Sequence, residues 1–189
     1  MTRFAGLILT ALLTSASFSP AFSASRTTIV GGSGGGPFEL KCRNREVLVG
    51  LQMQLGSTMD AIGPVCKPLN SAGKTMRRGG PANIAAGRTG GPGGSEQQVV
   101  CIKNRIVYSM NVFVDKFNLV NHVEIKCRNL GFPPKPDILV PPHGGSSERS
   151  YEVYCQVNHI PNGIYGKSGA MVDAVGLICD LPTNLFTSF

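Results

Sequence analysis

Tryptophan is absent from this chain, and acidic side chains are scarce, with 11 Asp and Glu against 18 Lys and Arg. None of those acids stands in a recognisable paired motif, so hydrolysis by a pair of carboxylates has no support. No serine or cysteine nucleophile signature occurs either, and the chain reads as a non-enzyme. The cysteines never form C-x-x-C, and His122, His143 and His159 are not at ligand spacings. A metal is therefore not expected, nor is any other cofactor. After residue 25 no stretch keeps a helical period, which points to an all-β chain. Nor does any later apolar run reach the length of a transmembrane segment. The absence of a basic-aromatic motif in a chain expected to be exported argues against nucleic acid as a partner.

What is present begins with a short apolar run from Phe4 to Leu13, preceded by Arg3 and followed by small and polar residues. This is the pattern of a secretory signal over residues 1–24, cleaved near Ser23 or Ala24, and it implies a secreted or periplasmic protein. Loss of Arg3 would lower the net charge from +7 to +6. Such a charge suits anionic surfaces, although a solvated basic face without a partner would look the same. The remaining residues, 25–189, suit one domain of short strands and many turns, since 24 Gly and 13 Pro are spread along the chain.

That domain repeats itself three times, over about 31–69, 90–130 and 144–182. Each unit holds two cysteines: Cys42 and Cys66, Cys101 and Cys127, Cys155 and Cys179. A glycine cluster precedes each first cysteine: Gly34, Gly35 and Gly36; Gly90, Gly91, Gly93 and Gly94; Gly144 and Gly145. Six residues before each second cysteine stands Asp60, Asn121 or Asp173. Spacing held this closely marks internal repetition. Between these landmarks apolar residues alternate. Val47, Val49, Leu51, Met53 and Leu55 are expected on one face in the first unit, as are Ile106, Tyr108, Met110, Val112 and Val114 in the second. The third unit carries Pro161, Asn162 and Gly163 in its middle strand, which is therefore expected to be an edge or a bent strand. Residues 67–88 read as a mobile basic loop, and the proline-rich 129–143 as a stiff crossing.

Both cysteines of each unit fall on the apolar parity of their strands. Bridges Cys42–Cys66, Cys101–Cys127 and Cys155–Cys179 are expected, although six cysteines leave other pairings formally open. An exported chain with an even cysteine count supports bridges over metal binding.

The run IYGKSGAMVDAVGLIC, ending at Cys179, resembles the last repeat of jacalin-related lectins, and unit one resembles it through GGGPFEL, VLVGL and GSTMDAIG. Unit two, with NHVEIKC after a long alternating strand, resembles the repeats of vitelline membrane outer layer proteins. Both resemblances imply a type I β-prism, with three Greek-key sheets about a pseudo-threefold axis. The resemblance to jacalin-related lectins also implies a lectin-like protein that binds glycans or cell-surface polysaccharide and is able to assemble into oligomers, whereas that of unit two to outer layer proteins points to a structural coat. The implied sugar site is a G-x-x-x-D loop facing a glycine-rich loop. The chain matches that loop at Gly56, Ser57, Thr58, Met59 and Asp60 and at Gly169, Ala170, Met171, Val172 and Asp173. The opposite wall would come from Gly35 and Gly36, or from Gly144 and Gly145. The place in unit two, from Phe117 to Asn121, lacks both the glycine and the acid. Without tryptophan, stacking on a sugar would fall to Tyr165 or Phe38. The same five-residue pattern also occurs as a tight turn whose Asp bonds local amides, and a structural envelope protein of this fold is the alternative function.

Overall fold

The computed structural model describes residues 24–69, 83–84, 87–102, 104–129, 138–140 and 148–181. Nearly all of the signal stretch, most of the 67–88 and 129–143 connectors, and the pair Gly144 and Gly145 lie outside them. The first strands are β1 (Ser25–Arg26), β2 (Val30–Gly31), β3 (Gly36–Lys41), β4 (Glu46–Leu55) and β5 (Met59–Pro68). They are followed by β6 (Asn83–Ile84), β7 (Thr89–Gly90), β8 (Ser95–Val100), β9 (Arg105–Val114) and β10 (Val120–Asn129). The last are β11 (Ile138–Val140), β12 (Arg149–Tyr154), β13 (Ile160–Ser168) and β14 (Val172–Asp180). Every regular element among the described residues is a strand, as the alternating pattern and turn-rich composition require.

Three long antiparallel hairpins, β4–β5, β9–β10 and β13–β14, form the middle of three sheets. The third strand of each sheet comes from another unit. β8 of unit two adds to β4, β12 of unit three adds to β9, and β3 of unit one closes the ring on β13. Each sequence unit thus contributes to two sheets. The bridges Cys42–Cys66, Cys101–Cys127 and Cys155–Cys179 form as expected, and each joins neighbouring sheets. Leu48, Leu51, Met53, Met110, Val112, Ile125, Ile164 and Leu177 fill the interior between the sheets. This is the three-sided prism that the resemblance implied.

Each hairpin is bulged twice, and the bulges change which side chains face the core. Opposite the second cysteine, Val49, Tyr108 and Asn162 are each one residue too many for the ladder. A bulge of one residue reverses the alternation on its strand. Accordingly Leu48 and Val107 join the inner core, while Val47, Val49 and Ile106 belong to a second cluster that includes Val65, Leu69 and Ile160. Strict alternation had placed Val47 and Val49 with Leu51; the bulge overturns that. It also accommodates Pro161, so β13 is an interior strand, bent rather than at an edge. The extra residues have a second use: the carbonyl of Val49 accepts the Cys101 amide at 2.7 Å, and that of Asn162 accepts the Cys42 amide at 2.8 Å. These bonds set the cysteines where strands pass between sheets.

Leu51 is fully buried at the centre of this core. Leu51→Ala is expected to lower the unfolding free energy by about 3 kcal/mol, read as a lower urea midpoint at unchanged slope.

Candidate functional site

The second bulge of each hairpin lies at the other end of the prism. In β4–β5, Gln54 pairs with Ala61 and Leu55 with Met59, which leaves Asp60 without an opposite number. In β13–β14, Lys167 pairs with Ala174 and Ser168 with Val172, which leaves Asp173. A bulged residue escapes the in-and-out alternation and can be aimed sideways. Both carboxylates are aimed at glycines of another unit.

Asp173 of unit three faces the cluster of unit one. A methyl group on Gly34 would collide with its Oδ1, and one on Gly35 would lie 2.5 Å from its Oδ2. Asp60 of unit one faces the cluster of unit two in the same way: a methyl on Gly93 would lie 2.6 Å from Oδ1, and one on Gly94 2.6 Å from Oδ2. Gly35 and Gly94 share a left-handed backbone, with φ of 66° and 70°, which glycine adopts without strain. Gly36 has open space around it and closes on nothing within 4 Å. Gly34, Gly93 and Gly94 are thus cradle residues that the reading by units did not assign. Their signal was present, since Gly31, Gly32, Gly34 and Gly35 recur as Gly90, Gly91, Gly93 and Gly94.

The G-x-x-x-D loops close tightly. The Gly56 amide donates to the Thr58 carbonyl and the Gly169 amide to the Met171 carbonyl, each at 2.9 Å. Gly56, Ser57, Gly169 and Ala170 are exposed at the tips, whereas Met59 and Val172 are core residues that bring only backbone to the loop. The two loops also touch. Thr58 Oγ1 donates to Met171 Sδ at 3.0 Å, and Gly91 packs against the Ala170 carbonyl so closely that no side chain fits there. Behind the cradles stand two props at matching positions. Lys167 Nζ donates to the Ser33 carbonyl at 3.0 Å. The Gln54 amide, in its hydrogen-bonded orientation, donates to the carbonyls of Gly91 and Gly93 at 3.0 and 3.1 Å.

Unit two departs at every one of these positions. Asn121 is buried, and its Nδ2 donates to the Ser57 carbonyl at 3.0 Å while its Oδ1 meets His122 Nδ1 at 3.0 Å. The prop position is Phe113, whose ring stacks on His122 with centroids 4.2 Å apart. Glu148, which precedes β12 as Gly35 and Gly94 precede β3 and β8, holds one cradle position, and Gly144 and Gly145 lie outside the described residues. The loop is closed by Asp115, whose Oδ1 accepts the amides of Phe117 and Leu119 at 2.8 and 2.9 Å. Unit two braces the loop of unit one and, among the described residues, has no acid-and-glycine cradle.

The aromatic candidates are engaged elsewhere. Tyr165 donates its hydroxyl to the Thr27 carbonyl beneath Arg26, and Phe38 packs against the core. Burial pushes the Tyr165 phenol above its ordinary value, against the pull of Arg26. His122 is pushed the other way, below its ordinary value, by burial, with Glu124 opposing. The folded state therefore favours the neutral imidazole more than the unfolded chain does. Its stabilising contribution is present above the ordinary imidazole value and is lost as pH falls through the lowered one. Thermal midpoints measured from about pH 7 to pH 5 should fall in the parent protein and fall less in His122→Gln.

Several solved structures share this architecture. A mannose-specific jacalin-related lectin from Morus nigra, solved in complex with mannose, is 14% identical, covers 88% of this chain and all of its own, and gives a TM-score of 0.61. A mannose-binding jacalin-related lectin from Ananas comosus is 19% identical, with 82% of this chain and 96% of that one covered and a TM-score of 0.59. Wild-type Malaysian banana lectin is 18% identical, with 84% and 99% covered and a TM-score of 0.57. No family model and no curated protein sequence matches the chain. The fold is that of the jacalin-related β-prism.

Proposed function

We propose that the protein is an exported, lectin-like binder of glycans, with one site at Asp173 and another at Asp60. The reading rests on one observation above all: a carboxylate held at a bulge against two glycines of another unit, beside an exposed G-x-x-x-D loop, occurs twice. An ionised carboxylate is an acceptor only, and its two oxygens take hydrogen bonds from adjacent hydroxyls of one sugar ring. The left-handed glycines let backbone approach that ring, and the amides after Gly56 and Gly169 are donors to its oxygens. The interaction needs no metal. Mannose, named for two of the structural neighbours above, is the first ligand to try. Each site binds weakly, and useful avidity comes from engaging several at once. The apolar run at residues 4–13 and three disulfides support export.

A glycan array that includes neutral and acidic polysaccharides tests the proposal. The oxidised protein is expected to retain a neutral sugar that Asp60→Ala/Asp173→Ala loses. The closed end of unit two favours a second reading, an envelope protein that keeps the prism as structure. Silence on the array, or salt-sensitive binding to acidic polymers unchanged in the double variant, would select it.

A further inference from the structure

The opposite end of the prism carries a second surface. Val47, Ile106 and Ile160, at the starts of the three long hairpins, share one cluster there, so the turns that precede them surround one end. Each turn holds one left-handed residue, Arg45, Asn104 or Asn158, at φ near 61–66°. Two of the turns close alike: the Glu46 amide donates to the Arg43 carbonyl, and that of His159 to the Gln156 carbonyl, both at 3.0 Å. At two of the turn tips stand aliphatic side chains, Ile102 at 58% and Val157 at 87% exposure, where turns ordinarily carry small or polar residues.

Beside Val157 opens a cleft of about 340 Å³ that includes Tyr108, Arg128 and Tyr154 in its walls. Tyr154 is itself exposed, and the Arg128 guanidinium lies 3.4 Å from the centre of the Tyr108 ring. The charge of this end is one-sided. Arg43, Arg45, Lys67, Arg105 and Arg128 lie on its turns or pair with the first residues of its strands. The acids placed here among the described residues are Glu46 and Asp180, both buried. Glu46 accepts the Arg43 amide, and Asp180 is held by Lys41 at 3.0 Å and Asn162 at 2.6 Å.

We propose that this end of the prism docks on an anionic lipid bilayer, with Ile102 and Val157 entering the interface and the surrounding arginines on lipid phosphates. Each component has its place in that arrangement. Aliphatic tips gain from leaving water for the acyl boundary, tyrosine is suited to the headgroup layer, and basic residues answer the negative surface potential. An acidic polysaccharide would answer the charge but give the aliphatic tips nothing to enter. Docking in this way leaves the Asp60 and Asp173 cradles, at the far end, directed away from the membrane.

Flotation of the full oxidised protein with vesicles of phosphatidylcholine, alone or mixed with phosphatidylglycerol, tests the proposal. Binding is expected on the mixed vesicles only, and it should weaken as salt rises. Ile102→Ser/Val157→Ser should reduce partition about tenfold. Arg43→Gln/Arg45→Asn should reduce it about fivefold per charge removed, with Asn chosen to suit the left-handed position. All these side chains are exposed, so unchanged thermal midpoints will show that the variants fold. Asp60→Ala/Asp173→Ala should partition like the parent, which separates this surface from the glycan reading. The proposal is overturned by absence of vesicle binding at low salt, or by binding indifferent to the serine pair. It is equally overturned if the serine pair abolishes a dimer seen by analytical ultracentrifugation, or if heparin is bound and the mixed vesicles are not.

Discussion

Cys42→Ala/Cys66→Ala is expected to lower the unfolding free energy of the protein by about 3.5 kcal/mol. The bridge closes a loop with a sequence separation of 24, and the chain-entropy model gives that magnitude for a loop of this length. Its place in the fold adds a reason to expect the full effect. β3 pairs with β13, more than a hundred residues away, through a six-residue ladder from Gly36 with Ser168 to Lys41 with Gly163. Cys42, directly after β3, ties this distant pairing back to β5 through Cys66. Without the bridge, unit one's first strand would be held to the third sheet by ladder bonds, by Phe38 and Leu40, and by the ion pairs Lys41–Asp180 and Arg26–Glu39. The other two bridges have the same role at the other two corners, with separations of 26 and 24. Three such contributions, about 10 kcal/mol together, rival the whole stability of an ordinary domain. Complete reduction should therefore unfold the protein at room temperature, seen as loss of the β signal in circular dichroism. A urea midpoint unchanged in the double alanine variant would show that the ladders suffice.

The same corner explains what the chain made legible and what it hid. The threefold count, the bridges and the hairpins were readable because they depend on spacing within a unit, such as Cys42 to Cys66 or Asp60 to Cys66. The exchange of first strands was not, since nothing local in GPFELK records that its partner is β13. Parity failed for a different reason. An extra residue such as Val49 looks like any other β-branched residue in an alternating run, yet it turns Leu48 into the inner core and Val47 into the second cluster. At the candidate site the consequence is direct. Asp60 and Asp173 stood out, but their cradles come from the exchanged segments, so Gly35 was readable and Gly34, Gly93 and Gly94 were passed over. Gly36, next in the same run, faces open space.

That contrast between neighbouring glycines supports the most specific expectation for binding. Asp173→Asn keeps the size and turn chemistry of the side chain but replaces one acceptor oxygen with a donor. If two sugar hydroxyls donate to the carboxylate, with each charged hydrogen bond worth at least about 1.5 kcal/mol, affinity at this site should fall about a hundredfold. Isothermal titration would then show half the stoichiometry, carried by Asp60. Stability should hardly change, since Asn is as acceptable as Asp in a turn. Gly34→Ala should have the same effect on binding by a purely steric route, because its methyl occupies the space of Asp173 Oδ1 on an ordinary backbone. Gly36→Ala, two residues away with nothing within 4 Å, should bind as the parent does. Were the carboxylate there only to hold the turn, Asp173→Asn and Gly36→Ala would bind alike, and Gly34→Ala would show its effect in the thermal midpoint alone.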